Sequence, residues 1–273
     1  MTTPVRTSAA RAPTFSQIRR DQVAVLTALV VITAAAWMYT VRQANQMAMS
    51  SGTGGHGMAN TMHAMLVMEP WTSSEFGLRL AMWVVMMVAM MVPTAAPMTL
   101  VCAAVARKAA AQDSPLPPTF LFVAGYVTVW SLFGVVATIA QRGLDAVSLL
   151  SPTMVSNSTV FGGVVLVAAG IYQLTPLKHA CLKHCRAPAH FLSRYWRKGT
   201  LGAFRMGLRL GAYCLGCCWI LMALLFVGGV MNLLWLAAIS GFVLLEKTLP
   251  LGERGSRIAG ATAIAAGILS IAG

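Results

Sequence analysis

The sequence predicts an all-α, polytopic transmembrane bundle of about seven spans, with the N-terminus inside and the C-terminus outside. Three observations predict it. Of 273 residues, 58% are hydrophobic and only 10% are charged, against about 25% charged in a typical soluble domain. Mean hydropathy is +0.72. The apolar residues gather in runs near the ~20 residues that cross a bilayer core, not in the alternating ~10-residue strands of an outer-membrane barrel.

Residues 1–21 read as a disordered cytoplasmic tail. The first span, Gln22–Val41, reads as a retained anchor. Arg19-Arg20, the apolar stretch and Ala34-Ala35-Ala36 also fit a cleaved signal peptide, which would leave six spans. An outside loop, 42–76, follows. The remaining six spans make a membrane domain, 77–273. They are Gly77–Val105, Pro118–Ala140, Ser158–Thr175, Gly207–Val230, Asn232–Glu246 and Ile258–Ala272. Pro93 and Pro97 are expected to kink the first of these or to end it in an irregular segment. Loop 177–206 is a cytoplasmic segment rich in Cys, His and basic residues. The short Gly228-Gly229 turn makes the spans on either side of it an antiparallel hairpin.

Orientation follows from the Lys and Arg residues. With the N-terminus inside, 17 of the 20 fall on inside segments, as the positive-inside rule requires. The net charge of +13 is therefore mainly an address, with a smaller part attracting anionic lipid. It does not indicate nucleic acid. No Walker loop, no G-x-G-x-x-G after a strand, no G-x-S-x-G elbow and no H-E-x-x-H motif occurs. No catalytic residue is assigned.

What stands out is soft-ligand chemistry. The chain has 18 Met, 6 Cys and 5 His. Thioethers and thiolates favour Cu(I), with other soft or borderline metals as alternatives. The outside loop carries His56, Met58, Met62 and His63 in a Gly/Ser-rich setting. Such a loop suits copper capture in an oxidising compartment, where thiols would be lost to disulfides; it also fits a plain linker with Met as apolar filling. The second span places Met86, Met90 and Met91 on adjacent stripes, at a spacing that resembles the pore helix of Ctr-type copper importers. Helix packing alone also accounts for them.

Cys214, Cys217 and Cys218 stand at i, i+3 and i+4, with Met222 one turn further. Their sulfurs share one helix face, as a soft metal site or as small packing residues. Cys181, His184 and Cys185 repeat that spacing in the cytoplasmic loop, with His179 nearby. Lys183 and Arg186 beside them favour the thiolate that binds metal. They form a second candidate site, or an incidental part of a basic surface helix. Glu246 is an intramembrane carboxylate and so a functional suspect, for which local pairing beside Lys247 or an interfacial position is the simpler account. Tyr126, Gln173 and Asn232 are candidates for lining a cavity or for hydrogen bonding between helices.

The chain resembles the bacterial family of predicted metal-binding integral membrane proteins, a domain of unknown function with some members labelled copper chaperones. The resemblance rests on Ala89-Met-Met-Val-Pro93 through Pro97, on Gly125-Tyr126 with Trp130, and on Tyr172-Gln-Leu-Thr-Pro-Leu-Lys178 running into Cys181 and Cys185-Arg-Ala-Pro188. It continues through Cys214-Leu-Gly-Cys-Cys-Trp219, Met231-Asn232 and Glu246-Lys247. It implies copper handling in the bacterial cytoplasmic (inner) membrane. The expected partners are the lipid bilayer, a metal ion and a copper carrier protein or metalloenzyme. A membrane scaffold or accessory subunit of a metalloenzyme, and a thiol-redox protein using Cys214 and Cys217, are the alternatives.

Overall fold

The computed structural model describes residues 15–52, 71–110, 119–150, 154–249 and 252–273. The described residues form ten helices and no strand. These are α1 (Phe15–Gly52), α2 (Ser73–Ala110), α3 (Thr119–Ala146), α4 (Thr159–Leu174), α5 (Pro176–Arg186), α6 (Pro188–Tyr195), α7 (Gly199–Ala223), α8 (Leu225–Gly228), α9 (Leu233–Thr248) and α10 (Gly252–Ala272). Each of the seven predicted spans is a helix. Five are long and apolar enough to cross a membrane: Gln22–Met47, Ser73–Arg107, Thr119–Ala146, Gly199–Gly228 and Gly255–Ala272. A sixth is added if α4 and α5, bent by 64° to one another, count as one broken span. The remaining run, α9, has 16 residues and reaches only ~24 Å.

The polarity of the bundle is inverted relative to a soluble protein. Leu26, Val30, Leu132, Val136, Val164, Ile171, Leu234 and Leu269 are exposed on its outside, while Gln141, Gln173, Lys178, Glu246 and Lys247 are buried. Buried polar groups in such a bundle persist only with partners. Accordingly, Trp83 Nε1 donates to Gln141 Oε1 at 2.8 Å, joining α2 to α3.

Of the two outcomes expected at Pro93 and Pro97, an irregular end is not seen: α2 runs through both prolines as one helix. Pro93 has no N–H to give the carbonyl four residues back. That carbonyl, Ala89 O, accepts from Trp37 Nε1 of α1 at 3.0 Å. The neighbouring Met91 carbonyl accepts from the Tyr126 hydroxyl of α3 at 3.1 Å and from Thr94 Oγ1 at 2.8 Å. Adjacent helices thus stitch the interrupted region.

Helices α3 and α7 pack backbone to backbone. A Cβ on Gly207 would lie 2.0 Å from the Phe122 carbonyl oxygen, and one on Gly125 would lie 2.2 Å from that of Phe204. Small residues permit this approach between membrane helices, and it brings Tyr126 against α7. Two further departures concern the ends of the predicted loops. Helix α1 continues past Val41 to Gly52. The expected cytoplasmic loop 177–206 is largely helical, and α5 lies against α7 with Lys178 and Leu182 buried.

Because neither backbone can retreat, Gly207→Ala is expected to lower stability by at least ~1–3 kcal/mol, the usual range for overpacking. Thermal unfolding in detergent, followed by tryptophan fluorescence, checks this. An unchanged midpoint would contradict the close approach.

Candidate metal centre

Helix α7 supplies three sulfurs. Cys214, Cys217 and Cys218 are each at most 1% exposed. The Cys217 and Cys218 Sγ atoms are 3.2 Å apart, and Cys217 Sγ donates to the Cys214 carbonyl at 3.1 Å. Met222, one turn on, is fully buried.

Helix α5 supplies two more. It starts at Pro176, with Thr175 Oγ1 accepting from the Lys178 amide as the cap. Its inner face presents Lys178, Cys181, Leu182 and Cys185. The Cys185 side chain reaches both Cys214 and Cys217. Cys181 packs against Gly216, where a Cβ would lie 2.8 Å from its sulfur. Gly216 in the Cys-Leu-Gly-Cys-Cys string thus makes room for a sulfur from the other motif. Tyr172, at the end of α4, hydrogen-bonds the Gly216 carbonyl. The two cysteine motifs, far apart in sequence, meet in one place. His184 does not join them: its ring stacks on Tyr213 of α7, centroids 4.2 Å apart.

One sulfur is polarised. Lys247 Nζ donates to Cys214 Sγ at 2.8 Å and to Thr94 Oγ1 at 2.9 Å. The Tyr126 hydroxyl lies 3.0 Å from the same sulfur. Cys214 is therefore the meeting point of α2, α3, α7 and α9. Glu246 does not pair with Lys247, as sequence reasoning held. It forms an ion pair with Lys178, both side chains being almost fully buried. Ser256 Oγ accepts from Lys178 at 2.9 Å, and also lies 3.2 Å from Gln173 Oε1. Asn232 is a helix cap, its side chain accepting from the Trp235 amide.

The remaining candidates are placed as follows. Met86, Met90 and Met91 are buried along α2. His179 keeps a buried Nδ1 without a partner. His56, Met58, Met62 and His63 lie outside the described residues. Sequence reasoning missed Lys247 and Thr94 as neighbours of Cys214. The signal for Lys247 was a cation closing an apolar run.

Among the described residues, no group of three or more His, Cys, Asp or Glu side chains is arranged so that it could hold a metal ion.

The sequence model of a family described as a copper chaperone, PpoB2, matches residues 80–270. The chain belongs to this family. No curated protein and no solved structure matches it. The stretch shared with the copper chaperone family contains all six cysteines, Lys178, Glu246 and Lys247, and excludes the His56–His63 segment.

Lys178→Met would leave Glu246 charged and alone in an apolar interior, which costs about 3–5 kcal/mol. The double variant Lys178→Met/Glu246→Leu is expected to recover most of that loss. Thermal unfolding of the three proteins in one detergent tests the coupling; equal midpoints for wild type and single variant would refute it.

Proposed function

We propose that the chain is a multi-pass protein of the bacterial cytoplasmic membrane, N-terminus inside, that carries Cu(I) as cargo on the thiols of α7 and α5. It binds and hands on the metal without transforming a substrate. Family membership supports the copper theme. The observation that carries the site is the convergence of Cys185 on Cys214 and Cys217, beside Cys218 and Cys181. Neutral or anionic sulfur in a dry setting selects a soft ion.

Charge explains the rest of the surroundings. Thiols bind metal as thiolates. One Cu(I) on two thiolates carries a net negative charge, which an apolar bundle does not tolerate alone. Lys247, 2.8 Å from Cys214 Sγ, is the built-in counter-charge. Its neighbour Glu246 is already engaged by Lys178, so Lys247 is left to the sulfur. Met86, Met90, Met91 and Met222 supply thioethers further along the bundle, and His56, Met58, Met62 and His63 a capture segment on the outside. With the Lys/Arg asymmetry, α9 is the short seventh crossing, and copper passes between that segment and the cytoplasmic α5.

Detergent-purified protein from copper-supplemented cells is expected to retain stoichiometric copper by elemental mass spectrometry. The Cys214/Cys217/Cys218→Ser variant is expected to lose it. Metal-free wild type, or a triple variant that keeps its copper, would overturn the assignment. Lys247→Met is expected to keep the site but weaken it roughly tenfold or more against a Cu(I) chelator, since the thiolate loses its partner. Unaltered affinity would remove Lys247 from the site.

A further inference from the structure

A cavity opens on the face of α5 opposite the thiols. Its volume is about 370 Å³, and it is lined by Pro176, His179, Ala180, Lys183, His184 and Arg257. Four of these six side chains carry nitrogen, and none is a carboxylate. Glu246, the acid bound nearby, is occupied by Lys178. His179 Nδ1 is buried without a partner. His184 is held in place by its stack on Tyr213 and by Nδ1, 2.9 Å from the Ala180 carbonyl oxygen. The first turn of α5, at Pro176, adds the positive end of a helix dipole. Among the described residues, the cavity is thus a concentration of positive charge and hydrogen-bond donors with no anion in its lining.

Exposed apolar side chains stand near the lining residues in the chain: Leu177 and Ile258 follow Pro176 and Arg257 directly and are 61% and 66% exposed, and Leu174, two positions before Pro176, is 45% exposed. Positive walls with exposed apolar side chains close by in the chain match a ligand with an anionic head and hydrocarbon tails. Arg grips phosphate through two parallel hydrogen bonds and Lys meets it as a point charge. Basic pockets between membrane helices take lipid head groups in this way. A small soluble phosphate shares the head-group chemistry but has no use for the exposed leucines.

We propose that this cavity binds the head-group phosphate of an anionic phospholipid. Lys183 and Arg257 hold the phosphate oxygens. His179 and His184 complete the walls around the head group, and the acyl chains lie along Leu174, Leu177 and Ile258. The lipid secures the outer face of α5, whose inner face carries Cys181 and Cys185. The site is separate from the copper assignment and is tested on copper-free protein.

The experiment is native mass spectrometry of the full chain in mixed micelles. These contain either dioleoyl phosphatidylglycerol or dioleoyl phosphatidylcholine. Wild type is expected to retain phosphatidylglycerol at roughly tenfold lower lipid concentration than phosphatidylcholine. Lys183→Gln/Arg257→Gln is expected to lose roughly thirtyfold in phosphatidylglycerol retention, from two cations near the head group. Inorganic phosphate at matched concentration is expected to leave the lipid in place. Equal retention of the two lipids, or a double variant that binds as wild type does, would overturn the proposal. Full displacement by inorganic phosphate would assign the cavity to a soluble anion and overturn it too. Both side chains are exposed, and an unchanged unfolding midpoint establishes that the variant is folded. Should the double variant unfold, Arg257→Gln and Arg257→Lys are compared instead, with retention expected to fall in the first and persist in the second.

Discussion

A charge inside an apolar bundle must meet its opposite, and the arrangement around α9 follows from that requirement. Glu246 and Lys247 are neighbours in sequence but point to different elements. Glu246 takes Lys178 from the start of α5, and Lys247 takes Cys214 and Thr94. Helices α4 and α9 have 16 residues each, ~24 Å of length in a hydrocarbon core of ~30 Å. They stop short, and the polar groups gather where they stop. Gln173 at the end of α4 and Ser256 at the start of α10 complete that cluster. Lys247 sits in the last turn of α9, where the dipole also favours a cation, whereas Lys178 sits in the first turn of α5 and depends on Glu246.

The thiol cluster depends on the same pairing. Lys178 fixes the first turn of α5, and α5 then carries Cys181 and Cys185 onto α7. Gly216 gives one of these sulfurs its space, and Tyr172 ties α4 to the Gly216 carbonyl. Charge pairing, a glycine and two cysteine motifs are thereby linked, so the cluster is a property of four or five helices rather than of one.

Much of the fold was legible because membrane helices announce themselves by length and composition. All seven apolar runs are helices, and the predicted boundaries of α3, α4 and α9 lie close to the observed ones. The number of crossings was less legible, since α9 and the bent α4–α5 pair fall below the length that hydropathy counts. Site residues were legible where chemistry is local: the i, i+3, i+4 spacing put three sulfurs on one face of α7. Long-range partners were not. Nothing in the local sequence says that Lys178 passes over its surroundings to reach Glu246, or that Lys247 turns to a sulfur. Both were counted only as inside-segment cations that set the orientation, and both are buried. Likewise, Pro93 was expected to kink the helix or end it, and what carries the helix through is distant. The compensating donor lies 52 positions away, in Trp37.

That last bond carries a lesson about biogenesis. Placed alone in lipid, α2 would expose the Ala89 carbonyl freed by Pro93, and an open carbonyl in hydrocarbon is costly. Helix α1 precedes α2 in the chain, and chains emerge from the ribosome N-terminus first. The donor is therefore already in the bilayer when its acceptor arrives. Sequence order here doubles as an order of assembly, in which the proline-bearing helix never has to wait for the group that completes it.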